Sequence, residues 1–158
     1  MKILVTSDTH GSTTPLMRLI TEYSERVQVV FHLGDYSKDL TNLAAGFPHL
    51  RFEAVAGVAD FGEAREKIIN FNGCDILLVH GHLNFVKNDI NKIINYAVEK
   101  NVNACLFGHT HFQEIFEKQG ILFMNPGSIV EPRGGSKAGY GLLDISEDGK
   151  ISGEIIST

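Results

Sequence analysis

Five short apolar runs along the chain have the length of strands: 2–6 (KILVT), 28–33 (QVVFHL), 51–55 (RFEAV), 75–79 (DILLV) and 104–107 (ACLF). Each ends in small or polar residues, and runs this apolar suit strands covered on both faces of a parallel sheet. Between them the apolar positions recur with helical spacing. Residues 14–26 place Leu16, Leu19, Ile20 and Tyr23 on one face, with Pro15 in a first turn that does not need its N–H. Residues 37–45 align Leu40, Leu43 and Ala44, and residues 86–99 align Ile90, Ile93, Ile94 and Ala97. Strand–helix–strand alternation implies right-handed crossovers in a parallel sheet.

Two features depart from a simple alternating pattern. The runs 66–71 and 75–79 flank Asn72-Gly73, a hairpin turn. Beyond residue 107 helical spacing disappears, and 113–118, 121–124, 139–145 and 151–156 read as strands joined by turns at Gln119-Gly120 and Asp148-Gly149. The expected fold class is therefore α/β, with two mixed sheets packed face to face and helices outside. No linker or repeat interrupts the chain, and PRGGS at 132–136 reads as a flexible loop, so residues 1–158 are expected to form a single domain.

Composition narrows the function classes. A length of 158 residues suffices for a core without staples, and 43% hydrophobic with 21% charged residues is ordinary for a globular protein. A net charge of −5 disfavours a grip on extended nucleic acid. Cys74 and Cys105 form no CxxC pair and lie near apolar runs, so both read as buried free thiols of a reducing cytoplasm. The opening apolar run is too short for a signal peptide and no stretch has bilayer length, so no membrane association and a cytoplasmic location are expected.

The polar residues right after the strands carry the chemistry. Asp8 and His10 follow the first run, Asp35 the second, His80 the run 75–79, and His109 with His111 the run 104–107. Residues at the same end of successive parallel strands converge above the sheet edge, where sites in open α/β folds lie. Imidazole with carboxylate suits zinc, iron, manganese, nickel or cobalt rather than calcium. Two such ions need a bridging group, and a carboxylate such as Asp35 has the two oxygens for it. A pair of this kind can acidify a bridging water and clamp a phosphoryl group. No Gly-x-Ser-x-Gly elbow is present, and Gly127-Ser128 follows a proline instead. Asp-x-His alone is an ordinary turn cap; two histidines at i, i+2 in Gly-His-Thr-His have few structural uses, and the ordered set carries the reading.

The segments SDTH at 7–10, HLGD at 32–35, HGH at 80–82, GHTH at 108–111 and NPGS at 125–128 resemble the calcineurin-like metallophosphoesterase superfamily. The likeness runs over essentially the whole chain and is to the small YfcE-like prokaryotic phosphodiesterases in particular. It implies a four-layer αββα sandwich and metal-dependent hydrolysis of a small phosphate ester, above all a phosphodiester. The implied attack is by metal-bound hydroxide at a centre of two divalent ions (Mn, Ni, Zn, Fe or Co). By the same resemblance Asp8, His10 and His111 hold one ion, Asp35 bridges, and His80 and His109 hold the second. Asp8, Asp35 and His80 would then act in catalysis through the metal-bound water. Residues 125–128 shape the floor of the site. His82 has no ligand role in that pattern and reads either as a contact to a ligand or substrate or as a plain turn contact. His32 reads as a satisfied core histidine and His49 as surface; Arg133 either meets a substrate phosphate or faces solvent.

One position departs from the family pattern. Its Gly-Asn-x-Asp turn aligns with Gly57-Val58-Ala59-Asp60, so Val58 stands where an asparagine normally supplies an oxygen to the second ion. Ala59 likewise offers no imidazole acid. Three consequences are open: a weaker second site, compensation by Asp60 from an extended loop in which residues two apart point the same way, or a catalytically poor site. The last would make the protein a metal-binding scaffold or protein-interaction module, as the metallophosphoesterase-like subunit of retromer is. The six other ligand positions are intact, which favours the enzyme.

Overall fold

The chain, described over residues 1–158 in a computed structural model, forms ten strands and three helices. In order they are β1 (Lys2–Thr6), α1 (Thr13–Tyr23), β2 (Val29–His32), α2 (Lys38–Ala44), β3 (Arg51–Ala54), β4 (Glu66–Phe71), β5 (Cys74–Val79), α3 (Ile90–Lys100), β6 (Ala104–Leu106), β7 (Gln113–Lys118), β8 (Ile121–Pro126), β9 (Gly139–Ile145) and β10 (Ile151–Ser157). One five-stranded sheet has the order β10-β9-β1-β2-β3 and the other β4-β5-β6-β8-β7. β1, β2 and β3 run parallel, as do β5, β6 and β8, and the remaining strands add antiparallel edges.

The two-residue periodicity of a strand decides the layering. Ile3 and Val5 of β1 join Val29 and Phe31 of β2 against Ile76 and Leu78 of β5 and Leu106 of β6, in a cluster of 17 buried residues between the sheets. The intervening Leu4 and Val30 turn outward and bury Leu16, Leu19 and Ile20 of α1. On the far sheet Leu77, Val79, Cys105 and Phe123 do the same for Ile93, Ile94 and Ala97 of α3. Helix, sheet, sheet and helix are thus the four layers expected. Cys74 and Cys105 are both buried and unpaired. No helix is long and apolar enough to cross a membrane.

The clearest difference from the sequence reading is the start of α3, four residues later than its apolar spacing suggests. Phe85 takes a left-handed backbone (φ 56°), and Asp89 is extended, its side chain accepting from the Asn91 N–H. A cap in that geometry starts the helix at the next residue. Residues 81–89 consequently form a turn-rich loop at the mouth of the strand-end cleft.

Candidate metal centre

The six donors read from the strand ends meet in one place. Ligand atoms of Asp8, His10, Asp35 and His111 all lie within 4.8 Å of one another, and those of Asp35, His80 and His109 form a second such set. Asp35 belongs to both. His111 Nε2 is 3.2 Å from Asp8 Oδ1, and His80 Nε2 is 3.5 Å from Asp35 Oδ2 and 3.9 Å from Asp8 Oδ1. His10 Nε2 lies 3.2 Å from His111 Nε2.

Backbone carbonyls set the orientation of two rings. His80 Nδ1 sits 2.7 Å from the Leu33 carbonyl and His111 Nδ1 2.6 Å from that of Glu131. A carbonyl only accepts, so each Nδ1 carries the proton and, in the neutral ring, Nε2 keeps its lone pair toward the cluster. Asp8 Oδ2 accepts from the Ser7 hydroxyl and the His109 N–H, whereas Asp8 Oδ1 and His80 Nε2 are shut off from solvent with no hydrogen bond. An unsatisfied buried acceptor costs about 1–3 kcal/mol, and a cation at each ligand set would relieve one of the two. The donor set, two carboxylates and four imidazoles, fits divalent transition ions.

Charge in the protein alone points the same way. Burial works against ionisation of Asp8, but the adjacent His111 and His80 and the Ser7 hydroxyl hold its carboxyl below the usual range. Asp35 is likewise held low by His80 against burial. His80 is pulled upward by those carboxylates although burial opposes it, while burial and the neighbouring His80 and Lys87 charges push His109 down to about 4.

Holding the donors together strains the backbone. Asp8, His10, Asp35, His109 and His111 all have positive φ, between 46° and 69°, a region that non-glycine residues seldom occupy. The surrounding contacts hold them there. Thr9 Oγ1 lies 3.0 Å from His32 Nε2 and donates to Asp39 Oδ2, which also accepts the Gly11 N–H. Asn125 Nδ2 donates to the Gly108 carbonyl and Thr110 Oγ1, and Ser128 Oγ donates to the Asp8 carbonyl. Gly57 is sterically required: a Cβ there would fall 2.3 Å from both Asp35 N and Asp35 Oδ1.

The remaining residues singled out in the sequence divide clearly. His32 is fully buried and satisfied, its Nδ1 accepting from the Gly34 N–H, and burial pushes its pKa down to about 4. His49 is exposed, with Nε2 3.2 Å from the Ser24 carbonyl, and Arg133 is exposed beside Glu131. Asp60, a candidate to replace the missing amide, is turned to the backbone. Its two oxygens accept the Ser37 and Gly57 N–H groups, so the carboxylate staples its own loop and stands outside both ligand sets. Val58 is 56% exposed, and the loop's one hydrogen bond to Asp35 comes from the Ala59 N–H, 3.0 Å from Oδ1. His82 lies with its ring 5.3 Å from that of His80 and 6.0 Å from that of His109, outside both sets. Thr9, Asp39 and Arg65 were missed. Thr9 sits inside a motif that could have flagged it, but nothing local marks Asp39 or Arg65.

Comparison with known proteins agrees with this geometry. A sequence model described as the calcineurin-like phosphoesterase superfamily domain matches residues 1–148. The probable metallophosphoesterase YsnB of Bacillus subtilis is 30% identical over 151 residues, covering 94% of this chain and 86% of its own. Phosphodiesterase YfcE of Escherichia coli is 28% identical, covering 91% and 88%. Among solved structures, a conserved Streptococcus pneumoniae protein described as a predicted phosphoesterase superposes with a TM-score of 0.79 at 28% identity, covering 99% and 97%.

Proposed function

Since the chain belongs to the calcineurin-like phosphoesterase superfamily and is a phosphoesterase, a hydrolase, by that membership, we propose that it hydrolyses a small phosphodiester at a two-metal centre. Residues 1–158 are taken as one catalytic domain. Asp8, His10, Asp35 and His111 would hold one ion and Asp35, His80 and His109 the other, the second set lacking the amide that Val58 displaces. The observation that carries this is the pair of overlapping ligand sets sharing Asp35, with Asp8 Oδ1 and His80 Nε2 buried and unpartnered between them. Bound divalent ions would supply Lewis acidity, activating water and neutralising charge on the phosphoryl oxygens.

The chain's own groups do the positioning. The Ser7 and Ser128 hydroxyls donate to Asp8, one to its carboxylate and one to its carbonyl, and neither cysteine reaches the site. Water would be the nucleophile, activated at the paired ligand sets. The Leu33 and Glu131 carbonyls keep the His80 and His111 lone pairs aimed inward, and Asp8 and Asp35 remain anionic through the working pH range.

The test is release of p-nitrophenol from bis(p-nitrophenyl) phosphate by protein loaded in turn with manganese, nickel, cobalt and zinc. Turnover with at least one ion, falling at least about 100-fold in Asp35→Asn, is expected. No activity with any of the four would overturn the reading. A second reading, a protein-binding module, draws support from exposed Tyr36, Val58, Phe61, Leu83, Phe85 and Phe112 on the ligand-bearing loops. The same absence of turnover would favour it.

A further inference from the structure

Beside the second ligand set lies a cavity of about 280 Å³ that no step above uses. His80 and His82 lie on its metal side, and Arg65, Leu83, Phe85 and Lys92 are among the residues that line the rest. Its volume falls just under the range for a drug-sized ligand, so it suits one arm of a substrate rather than the whole molecule.

The charge in this cavity is unbalanced. Six of the fourteen Lys and Arg side chains pair with carboxylates: Lys2, Arg51, Lys67, Lys100, Arg133 and Lys150. Neither Arg65 nor Lys92 is among them. The one acid lining the cavity, Glu66, is already engaged by Lys100 and the Tyr96 hydroxyl. Two cations therefore face one cavity with no carboxylate partner of their own, in a protein whose net charge is −5.

Both cations are held in place. Arg65 Nη1 donates to the Gly57 carbonyl, on the loop that carries Val58, and lies 3.3 Å from His82 Nε2. The other donors of its guanidinium make no hydrogen bond within the protein and are open to a ligand. Lys92 Nζ lies 4.3 Å above the Phe85 ring. Phe85 itself takes φ 56°, a strained conformation for an aromatic residue, and is more than half exposed. His82 lines the cavity as well, its Nε2 beside the Arg65 guanidinium.

We propose that this cavity is an anion subsite for a substrate arm bearing its own negative group, a carboxylate or a phosphate, while the scissile phosphate lies over the ligand sets. Arg65 and Lys92 recognise the charge, and Leu83 and Phe85 flank the short apolar stem that carries it. The proposal rests on the hydrolytic reading for its scissile end, but recognition of the arm is separable from turnover.

The experiment compares three p-nitrophenyl phosphodiesters whose second arm is propyl, 3-carboxypropyl or 3-phosphopropyl, using metal-loaded protein. An anionic arm is expected to raise kcat/KM about 10-fold over the propyl ester. Whichever of carboxylate and phosphate gains more identifies the source of the charge. In Lys92→Gln, a change at an exposed helical position, the ratio of anionic to propyl ester should collapse toward one, and Arg65→Gln should reduce it similarly. Lys150→Gln, with the same charge change far along the sequence on β9–β10, should keep the wild-type ratio. Calorimetric binding of propane-1,3-bisphosphonate against propylphosphonate measures the subsite without chemistry. Turnover of all three esters with equal kcat/KM, or a preference that survives Lys92→Gln and Arg65→Gln together, would overturn the subsite. Loss of all turnover with the calorimetric preference intact and Lys92-dependent would overturn the hydrolytic reading and leave the subsite standing.

Discussion

At position 58 an exposed valine stands on the loop that touches Asp35 through the Ala59 N–H, and the neighbouring carboxylate of Asp60 is consumed by two backbone amides. No side chain of this loop therefore reaches the second ligand set. Val58→Asn should tighten the second ion about 10-fold and raise turnover, read as metal stoichiometry by calorimetry alongside p-nitrophenol release. An unchanged stoichiometry would show that the valine is not the weak point. A second residue-scale consequence concerns acid. His32 is neutral in the folded protein because burial holds its pKa near 4, against 6.5 in an ordinary environment. The unfolded chain thus binds a proton that the folded one refuses, and stability falls as pH drops from about 6.5 to about 4, then levels. At roughly 1.4 kcal/mol per pH unit of that interval the loss is on the order of 3 kcal/mol. Urea midpoints measured across that window should fall, and a His32→Gln variant should lose part of that slope, His109 supplying a further part.

Among the elements, nearly every strand was legible as an apolar run, because a covered parallel strand has no polar face to hide its signal. Helix existence was legible from spacing, but the α3 boundary was not. Val86 continues the apolar rhythm and is indeed buried, yet it packs from a loop after left-handed Phe85, and Asp89 supplies the cap. The periodicity reported burial, not backbone conformation. Asp89→Ala should accordingly cost about 1 kcal/mol, seen as a lower thermal midpoint. It should also loosen residues 81–89, which bring Phe85 over Lys92. Unchanged stability would show that the Asp89–Asn91 contact contributes nothing.

For the whole molecule, two sheets bring four loops from separate crossovers to one edge, and the His80–Leu33 hydrogen bond ties the sheets together there. The fold holds five donors in strained backbone and leaves two buried acceptors unsatisfied, so a bound ion should stabilise the entire chain. At 100 times its dissociation constant an ion that binds only the folded state adds about 2.7 kcal/mol. The thermal midpoint should rise by roughly 5–10 °C with manganese or zinc, and Asp35→Asn should lose most of that rise. A midpoint indifferent to metal would argue against both ligand sets. Period and motif are local properties that survive any packing, so the strand and helix types, the layered α/β class and six candidate donors could be read along the chain. That Asp60 closes its own loop, that Thr9 bridges His32 and Asp39, and that Arg65 and Lys92, 27 positions apart, share one cavity became visible only in three dimensions. Those outcomes depend on distances between loops on different strands, and where a polar side chain finds its partner is settled by the neighbours that packing brings within about 3 Å.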